Sequence, residues 1–346
     1  MAPETWLETD AIRRASDIAL GAILLIVGAL ALWFAPDRSA GGEMGPGAGF
    51  FPAVVAGLLC IVAVVLLARV AFRRSPPPVR RSRPLYVAFI GAVIVVLVFA
   101  HIGATPPLFG APLFVRFGPA EFTALMALEL AIAIALAHSS RARAAGMALL
   151  GLLLSTVGTD VNSGVLRFTM GVEWLSDGIG RSIVLLGLFV AGDALVCLVS
   201  PPLFLRAYAW LITAWRASRI PRPAALGMRL AAALALAGAC YCAYALSHSY
   251  PDIALLLVFG ILGVAAKIFG WNRFLLYIAY SLGPDLEENI RRAMLLSKGK
   301  PSDLMQRPIS GTLLLAAIVV LGSVAVLSAL RAANERQPHP AQAEAS

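Results

Sequence analysis

Charged residues are scarce in this sequence, and their scarcity indicates its class. Aspartate, glutamate, lysine and arginine make up 14% of the 346 residues and hydrophobic residues 60%, whereas about a quarter of a soluble domain is charged. The charges also lie in short segments between long uncharged runs. This composition excludes a water-soluble fold and predicts an all-α integral membrane protein surrounded by lipids. The formal net charge of +9 then belongs to loops at the membrane surface, so no nucleic-acid partner is predicted.

Cysteine pairs and metal-ligand spacings are also lacking. The four cysteines fall inside or at the ends of apolar runs, where a thiol behaves as a small hydrophobic group. Their spacing fits neither a disulfide framework nor a zinc site, and the polar residues contain no arrangement of nucleophile and base. We therefore predict no metal site, no catalytic residues and no enzymatic activity. A membrane enzyme that uses Glu129 or Asp160 is the remote alternative.

Long apolar runs are what the sequence has instead. A membrane-spanning helix needs about 20 predominantly apolar residues, and the candidates are 16–35, 50–70, 85–104, 121–138, 182–200, 224–247, 252–270 and 308–330. Two shorter runs, 145–157 and 272–282, are candidates for half-helices or re-entrant segments. The expected fold has about 8–10 transmembrane helices, one or two of them short or re-entrant.

Basic residues predict which ends of these spans face the cytoplasm, because short basic loops are retained on that side. Arg13 and Arg14 place the N-terminus in the cytoplasm, and the loop after the first span is then outside. Further inside loops are predicted at 73–83, 141–143, 206–222 and 291–307. The last assignment requires 145–157 to cross the membrane and 272–282 to re-enter; a crossing of 272–282 is the open alternative.

Two Gly-Pro pairs are predicted to begin helices. Proline at the first helical position loses no hydrogen bond, which suits Pro119 and Pro284, and an acidic residue follows each in the first turn. The second helix would carry two ion pairs at i,i+4 spacing, formed by Glu287, Glu288, Arg291 and Arg292. These four residues either stabilise a surface helix or contact a partner protein.

The segment 155–180 is a long polar loop rich in glycine. Such loops are either functional or disordered, and the interleaved apolar residues argue against disorder. The candidate substrate-binding and loop residues are Asp160, Asn162, Ser163, Arg167 and Thr169. Two roles are open to Arg167: a bidentate contact with a substrate carboxylate, or an ion pair with Asp160 or Asp177 that holds the loop.

Glu129 is an acidic residue in the middle of the apolar run 121–138. A carboxyl group at that depth is costly and is by default a functional candidate. The alternative is a protonated, hydrogen-bonded side chain without a functional role.

A glycine-rich motif lies between the first two runs. It reads Met44-Gly45-Pro46-Gly47, then Ala48-Gly49, then Phe50-Phe51-Pro52. Apart from the inserted Ala48-Gly49, it resembles the signature of the small membrane subunit of the tripartite tricarboxylate transporter family (TctB-like), and the resemblance covers roughly 12–100. We expect a structural role, in which glycines allow close packing, phenylalanines anchor the rim and proline begins the next helix, for Gly45, Pro46, Gly47, Phe50, Phe51 and Pro52.

The rest of the chain is similar to the large membrane subunit of the same family (TctA-like) over roughly 105–330. The blocks that carry this similarity, in family order, are FGPAEF at 117–122, VGTD at 157–160, GVLRFT at 164–169, DGI at 177–179, GLF at 187–189, VFGILG at 258–263, LGP at 282–284, EENIRR at 287–292 and RPIS at 307–310. Two Gly/Pro-rich segments of the large subunit are missing. Asp193 stands where the family has glutamate, and Glu129 where the family has a small or apolar residue.

The resemblance implies the membrane component of a tripartite carboxylate uptake system, a secondary transporter of the bacterial inner membrane. It implies Na⁺ or H⁺ as the coupling ion, no other cofactor, and a full-length large membrane subunit and a periplasmic solute-binding protein as partners. A non-transporting scaffold, or a degenerate fusion remnant, is the alternative. The predicted domains are a small-subunit region at 1–104, large-subunit-like regions at 105–200 and 224–330, a basic cytoplasmic linker at 201–223 and a disordered tail at 331–346.

Overall fold

The structure is a computed structural model that describes residues 4–35, 46–72, 118–137, 141–160, 162–199, 222–298 and 307–334, together with Ser302 and Met305. These residues form nine helices and one short hairpin, which confirms the predicted all-α membrane fold. The helices are α1 (Glu4–Phe34), α2 (Phe50–Phe72), α3 (Pro119–Leu136), α4 (Arg141–Leu154), α5 (Arg181–Val199), α6 (Arg222–Ser247), α7 (Tyr250–Phe269), α8 (Arg273–Leu296) and α9 (Pro308–Asn334).

Among the described residues, six helices are long and apolar enough to cross a membrane: α1, α2, α3, α5, α6 and α7. Each coincides with a predicted run. The run 85–104 lies outside the described residues, as do Gly45, the linker 201–223 up to residue 221, and the tail from residue 335 onward. Helix α9 continues to Asn334, into the segment predicted to be a disordered tail.

The helices pack in two groups. The α1–α2 hairpin lies against α4, α4 lies along α8, and α3 packs against both α8 and α9; α5, α6 and α7 form the second group. Small residues allow close contact between α5 and α7, since a Cβ atom on Gly192 would lie 3.1 Å from the Gly263 Cα. Close approach at glycine is typical of helix packing in membranes, where water does not drive association.

Helix α8 corrects one prediction. Pro284 does not begin a helix but lies inside α8, so the run 272–282 and the charged segment after it form a single helix. Proline in a helix interior removes a hydrogen bond and costs about 3 kcal/mol. Buried side chains on both sides of the proline, Leu282 and Leu286, hold the helix in the bundle, and this tertiary packing outweighs the local signal.

The contacts at its two ends give α8 a definite direction within the bundle. One end of the bundle is marked by the ion pair of Arg143 with Asp17, and Trp271 beside the start of α8 donates a hydrogen bond to Ser16 at this same end. The other end is marked by Arg167, which lies close to Arg291 near the end of α8. Helix α8 therefore runs from the Arg143 end to the Arg167 end of the bundle. It is not one of the six long apolar helices, and whether 272–282 crosses the membrane or re-enters stays a prediction.

The same direction brings two loops that were predicted on opposite sides of the membrane to one end of the bundle. Arg291, Arg292 and Arg307 lie at the Arg167 end, where the loop holding Ala48 also lies, and that loop was predicted to be outside. The three arginines pair with Asp160, Glu288 and Glu121, respectively. The two loops therefore cannot lie on opposite sides of the membrane, and each of the three arginines already has an acidic partner within the fold.

Candidate functional site

Four charged side chains meet in the protein interior at the Arg167 end. Arg167 donates to Glu287 at 2.6 Å and to Asp160 at 3.3 Å. Arg291 donates to Asp160 at 3.0 Å and lies 3.5 Å from the same Glu287 oxygen. Between 3% and 11% of each side chain is exposed. The charges sum to zero, which is what allows four ionic groups to be buried together. We call this group the charge quartet.

Local structure positions the loop half of the charge quartet. The short strands Gly158–Thr159 and Leu166–Arg167 pair in an antiparallel hairpin, with Gly158 opposite Arg167. The Asp160 carboxylate accepts hydrogen bonds from the backbone amide and the hydroxyl of Ser163. This side-chain-to-backbone turn is typical of aspartate, and it directs the carboxylate at both arginines.

The glycine-rich motif supplies a further contact. Arg167 donates to the backbone carbonyl of Ala48 at 3.1 Å, so the loop between α1 and α2 is joined to the charge quartet. Phe51 belongs to the largest cluster of buried apolar side chains among the described residues, which we call the main core. Pro52 is fully buried. The predicted rim position of Phe51 was therefore wrong, because the second helix begins inside the bundle at Phe50.

A cavity of about 240 Å³ lies beside the charge quartet. Its wall comes from the 155–180 loop, Arg181 at the start of α5 and the part of α8 around Pro284. Pro284 has no amide hydrogen, so the helical bond to the Tyr280 carbonyl cannot form, and both residues line the cavity. The charged residues in the wall are Asp160, Arg167, Asp177, Arg181, Asp285, Glu287 and Glu288.

The five predicted loop residues have different environments. Asp160 and Arg167 belong to the charge quartet, Ser163 holds Asp160, and Asn162 is exposed and lines the cavity. Thr169 is buried and does not line the cavity. Of the two open roles for Arg167, the structure contains the ion pair with Asp160. Both of its terminal nitrogens donate to protein groups, whereas Nε has no hydrogen-bond partner among the described residues. A substrate contact through both terminal nitrogens would therefore require the charge quartet to open.

Asp160 makes the loop sensitive to acid. Burial pushes the pKa of Asp160 upward, but Ser163, Arg167 and Arg291 outweigh burial and hold this pKa below its ordinary value. A carboxyl whose pKa is lower in the folded protein than in the unfolded chain stabilises the fold. This stabilisation is complete above the pKa of the unfolded chain, about 3.9, and is lost as the pH falls through the pKa of the folded protein.

We expect thermal unfolding in detergent to show this loss. The difference in melting temperature between the wild type and Asp160→Asn should be largest near neutral pH and should decrease as the pH falls below about 4. A difference that stays constant down to the lowest pH would contradict the assignment.

The charged segment of α8 forms both predicted ion pairs, in different environments. Glu287 pairs with Arg291 and Glu288 with Arg292, as predicted from their spacing. The first pair is buried in the charge quartet and the second is exposed. Glu288 and Arg292 are thus available to a partner, whereas Glu287 and Arg291 hold the fold together.

A second ionic group was missed by the sequence analysis. Asp193 in α5 accepts from Lys267 at 3.0 Å and from Arg273 at 2.8 Å. Arg273 also donates to the Leu188 carbonyl, within a π-helical turn at Leu186–Ala191. Such turns are often found at functional sites. The only sequence signal was the aspartate inside an apolar run.

Comparison with known proteins extends these observations. Residues 82–203 match the family model described as "Tripartite tricarboxylate transporter TctA family". The predicted resemblance to this transporter family is confirmed for these residues, which include the 155–180 loop. The match begins inside the region predicted to resemble the small subunit, and that finer resemblance stays a prediction.

Two curated relatives come from Agrobacterium vitis. The chain is 44% identical over 86 residues to "Uncharacterized 52.8 kDa protein in TAR-I ttuC' 3'region", which is 25% of this chain and 17% of the relative. It is 36% identical over 87 residues to "Uncharacterized protein in TAR-II ttuC' 3'region", which is 25% of this chain and 34% of that relative. The chain thus spans a minor part of either relative's length. No solved structure matches the chain.

Proposed function

We propose that this protein is a membrane component of a tripartite carboxylate uptake system in a bacterial inner membrane, with its N-terminus in the cytoplasm. The observation that carries the proposal is the family match over 82–203, which includes the loop and much of the wall of the cavity. The match points to transport and not to catalysis. The Arg167 end then faces the periplasm, because the basic residues around Arg14 and Arg143 mark the opposite end as cytoplasmic.

An exposed apolar surface at the Arg167 end supports a periplasmic partner. Its residues all belong to the 155–180 loop, and they are Val165, Leu166, Met170 and Trp174, with exposed fractions of 39%, 53%, 83% and 47%. Apolar side chains on the membrane-facing helices contact lipid, but a loop at the end of the bundle faces water, where an apolar patch marks an interaction site. Met170 also has a positive φ of 50°, a backbone conformation that is uncommon outside glycine. We assign this loop surface to the solute-binding protein.

The charge balance of the cavity supports an accessory role for this chain. Asp160 and Glu287 are paired with Arg167 and Arg291, and Asp285 pairs with Arg181 at 3.5 Å. Within the described part of the chain, both arginines of the cavity wall already pair with carboxylates, and the one Arg167 donor without a partner, Nε, is buried. A full-length large subunit would supply the substrate site, and this chain would present the loop to the binding protein.

A non-transporting scaffold is the second candidate. It is favoured by the missing Gly/Pro-rich segments, which the resemblance places in the large subunit. A scaffold and a transport component both bind the large subunit, but only the transport component is needed for uptake.

Uptake of radiolabelled tricarboxylates and dicarboxylates in the native host tests the proposal. Deletion of the gene should abolish gradient-driven uptake, and the wild-type gene should restore it. The double variant Met170→Ser/Trp174→Ser should insert into the membrane of the deletion strain but should not restore uptake. The purified double variant should no longer capture the solute-binding protein. Leu234→Ser is the matched control, because Leu234 is 74% exposed but lies on lipid-facing α6.

The outcomes separate the two candidates. Unchanged uptake after deletion, with a large subunit still co-purifying, identifies a scaffold. Full uptake and normal capture with the double loop variant would show that the loop is not the docking surface.

A further inference from the structure

Glu129 lies deep in the membrane-spanning part of α3. It is ten residues beyond Pro119, or about 15 Å at 1.5 Å per residue, in a helix of 18 residues. The other acidic residue of α3, Glu121, is at the helix start, where it accepts from the Gly118 amide at 2.8 Å and lies 3.7 Å from Arg307. One carboxyl group of α3, that of Glu121, is thus paired at the start of the helix, and the other, that of Glu129, lies in its interior.

The Glu129 side chain is directed into the protein. Residues three and four positions away on a helix share its face, and these are Met126, which packs on the main core, and Ala133, which belongs to it. Both carboxyl oxygens of Glu129 are enclosed, and neither has a hydrogen-bond partner among the described residues. The described residues therefore do not provide the hydrogen bond that the alternative role of Glu129 requires.

The charged groups on neighbouring helices are engaged elsewhere. Helix α3 packs on α4, α8 and α9. The described ionic side chains of these helices, and Arg307 just before α9, have other partners: Arg143 with Asp17, Arg273 with Asp193, Asp285 with Arg181, Glu288 with Arg292, Glu287 and Arg291 within the charge quartet, and Arg307 with Glu121. Arg141 also has a partner, the Tyr280 hydroxyl donates to the Ile179 carbonyl, and the Tyr277 ring packs edge-on against Phe189. An ionised Glu129 would thus be an unpaired charge in an apolar interior, which is strongly unfavourable.

We propose that Glu129 is a proton-binding site inside the membrane. Its carboxyl holds a proton in the conformation described here and releases it when a rearrangement of the bundle brings water to α3. The proton moves between the carboxyl oxygen and water, and no other bond changes. The use of this proton to drive uptake rests on the proposed function, whereas proton binding itself does not.

Labelling with dicyclohexylcarbodiimide tests proton binding on the purified full chain in lipid vesicles. This reagent is apolar and modifies protonated carboxyl groups. The Glu129 peptide should be labelled in mass spectra, and the labelling rate should fall about tenfold per pH unit once the carboxyl ionises. Glu121, which is paired, should stay unlabelled, and Glu129→Gln should remove the label without loss of folded protein.

Infrared spectroscopy provides a second measurement that does not depend on access of the reagent. The carbonyl band of a protonated carboxyl should be present in the wild type, shift in D₂O and be missing in Glu129→Gln. A Glu129 that is ionised at neutral pH, or a band that neither shifts in D₂O nor changes with pH, would overturn the proposal. If the band titrates but deletion of the gene leaves uptake unchanged, the proton site stands and the proposed function fails.

Discussion

Replacement of Arg167 by alanine is expected to destabilise the folded protein by about 3–5 kcal/mol, since it removes one partner from a buried ionic group. The change takes a donor from Asp160, from Glu287 and from the Ala48 carbonyl. One positive charge then remains against two buried carboxylates. We expect little folded protein in the membrane and a strong drop in melting temperature after detergent extraction.

Arg292→Ala is the matched control for this prediction. Arg292 is also an arginine of an ion pair at the same end, but 61% of its side chain is exposed, and exposed pairs contribute only about 0–1 kcal/mol. Arg167→Lys should fall between the two, because lysine keeps the charge but cannot place separate nitrogens on Asp160 and Glu287. Equal stability of Arg167→Ala and Arg292→Ala would show that the charge quartet does not hold the loop.

Replacement of Gly151 by alanine is expected to have the second large effect. Gly151 lies where α4 meets α8, and a Cβ atom there would overlap the Leu276 carbonyl oxygen and lie 3.0 Å from the Tyr280 amide nitrogen. Backbone atoms cannot move aside as a side-chain tip can, so the helices must separate. Overpacking of this kind costs about 1–3 kcal/mol, and the separation would disturb the cavity wall at Tyr280.

Gly57→Ala provides the comparison. Gly57 also lies within a helix, α2, but a Cβ atom there would meet nothing within 4 Å. Alanine is about 1 kcal/mol more favourable than glycine in a helix, so Gly57→Ala should be neutral or stabilising. The melting temperature should therefore fall for Gly151→Ala and stay the same or rise for Gly57→Ala. An equal melting temperature of the two variants would refute close packing at Gly151.

Helix spans were predictable from the sequence because their cause is local. Lipid requires every backbone group to be bonded within its own helix over a fixed thickness, so the run 252–270 alone is enough to predict α7 at Tyr250–Phe269. The i,i+4 pair of Glu287 and Arg291 was also predictable, since it depends only on helical spacing. The transporter-family resemblance likewise came from short motifs and is confirmed over 82–203.

Tertiary structure alone decided the role of Arg167 and the path of α8. Arg167 had two open roles because its contacts with Ala48 and Glu287 are 119 and 120 residues distant in sequence, and no local pattern encodes such a meeting. Pro284 carried a helix-start signal that the packing of α8 overrides. The basic residues at 291–307 were predicted to lie opposite the loop holding Ala48, but Arg291 and Arg307 meet the distant Asp160 and Glu121 at the end of the bundle where Ala48 lies. The sequence by itself thus determined which segments are helical and apolar, through local hydrogen bonding and transfer to lipid, whereas the pairing of buried charges was decided by the packing that brings distant segments together.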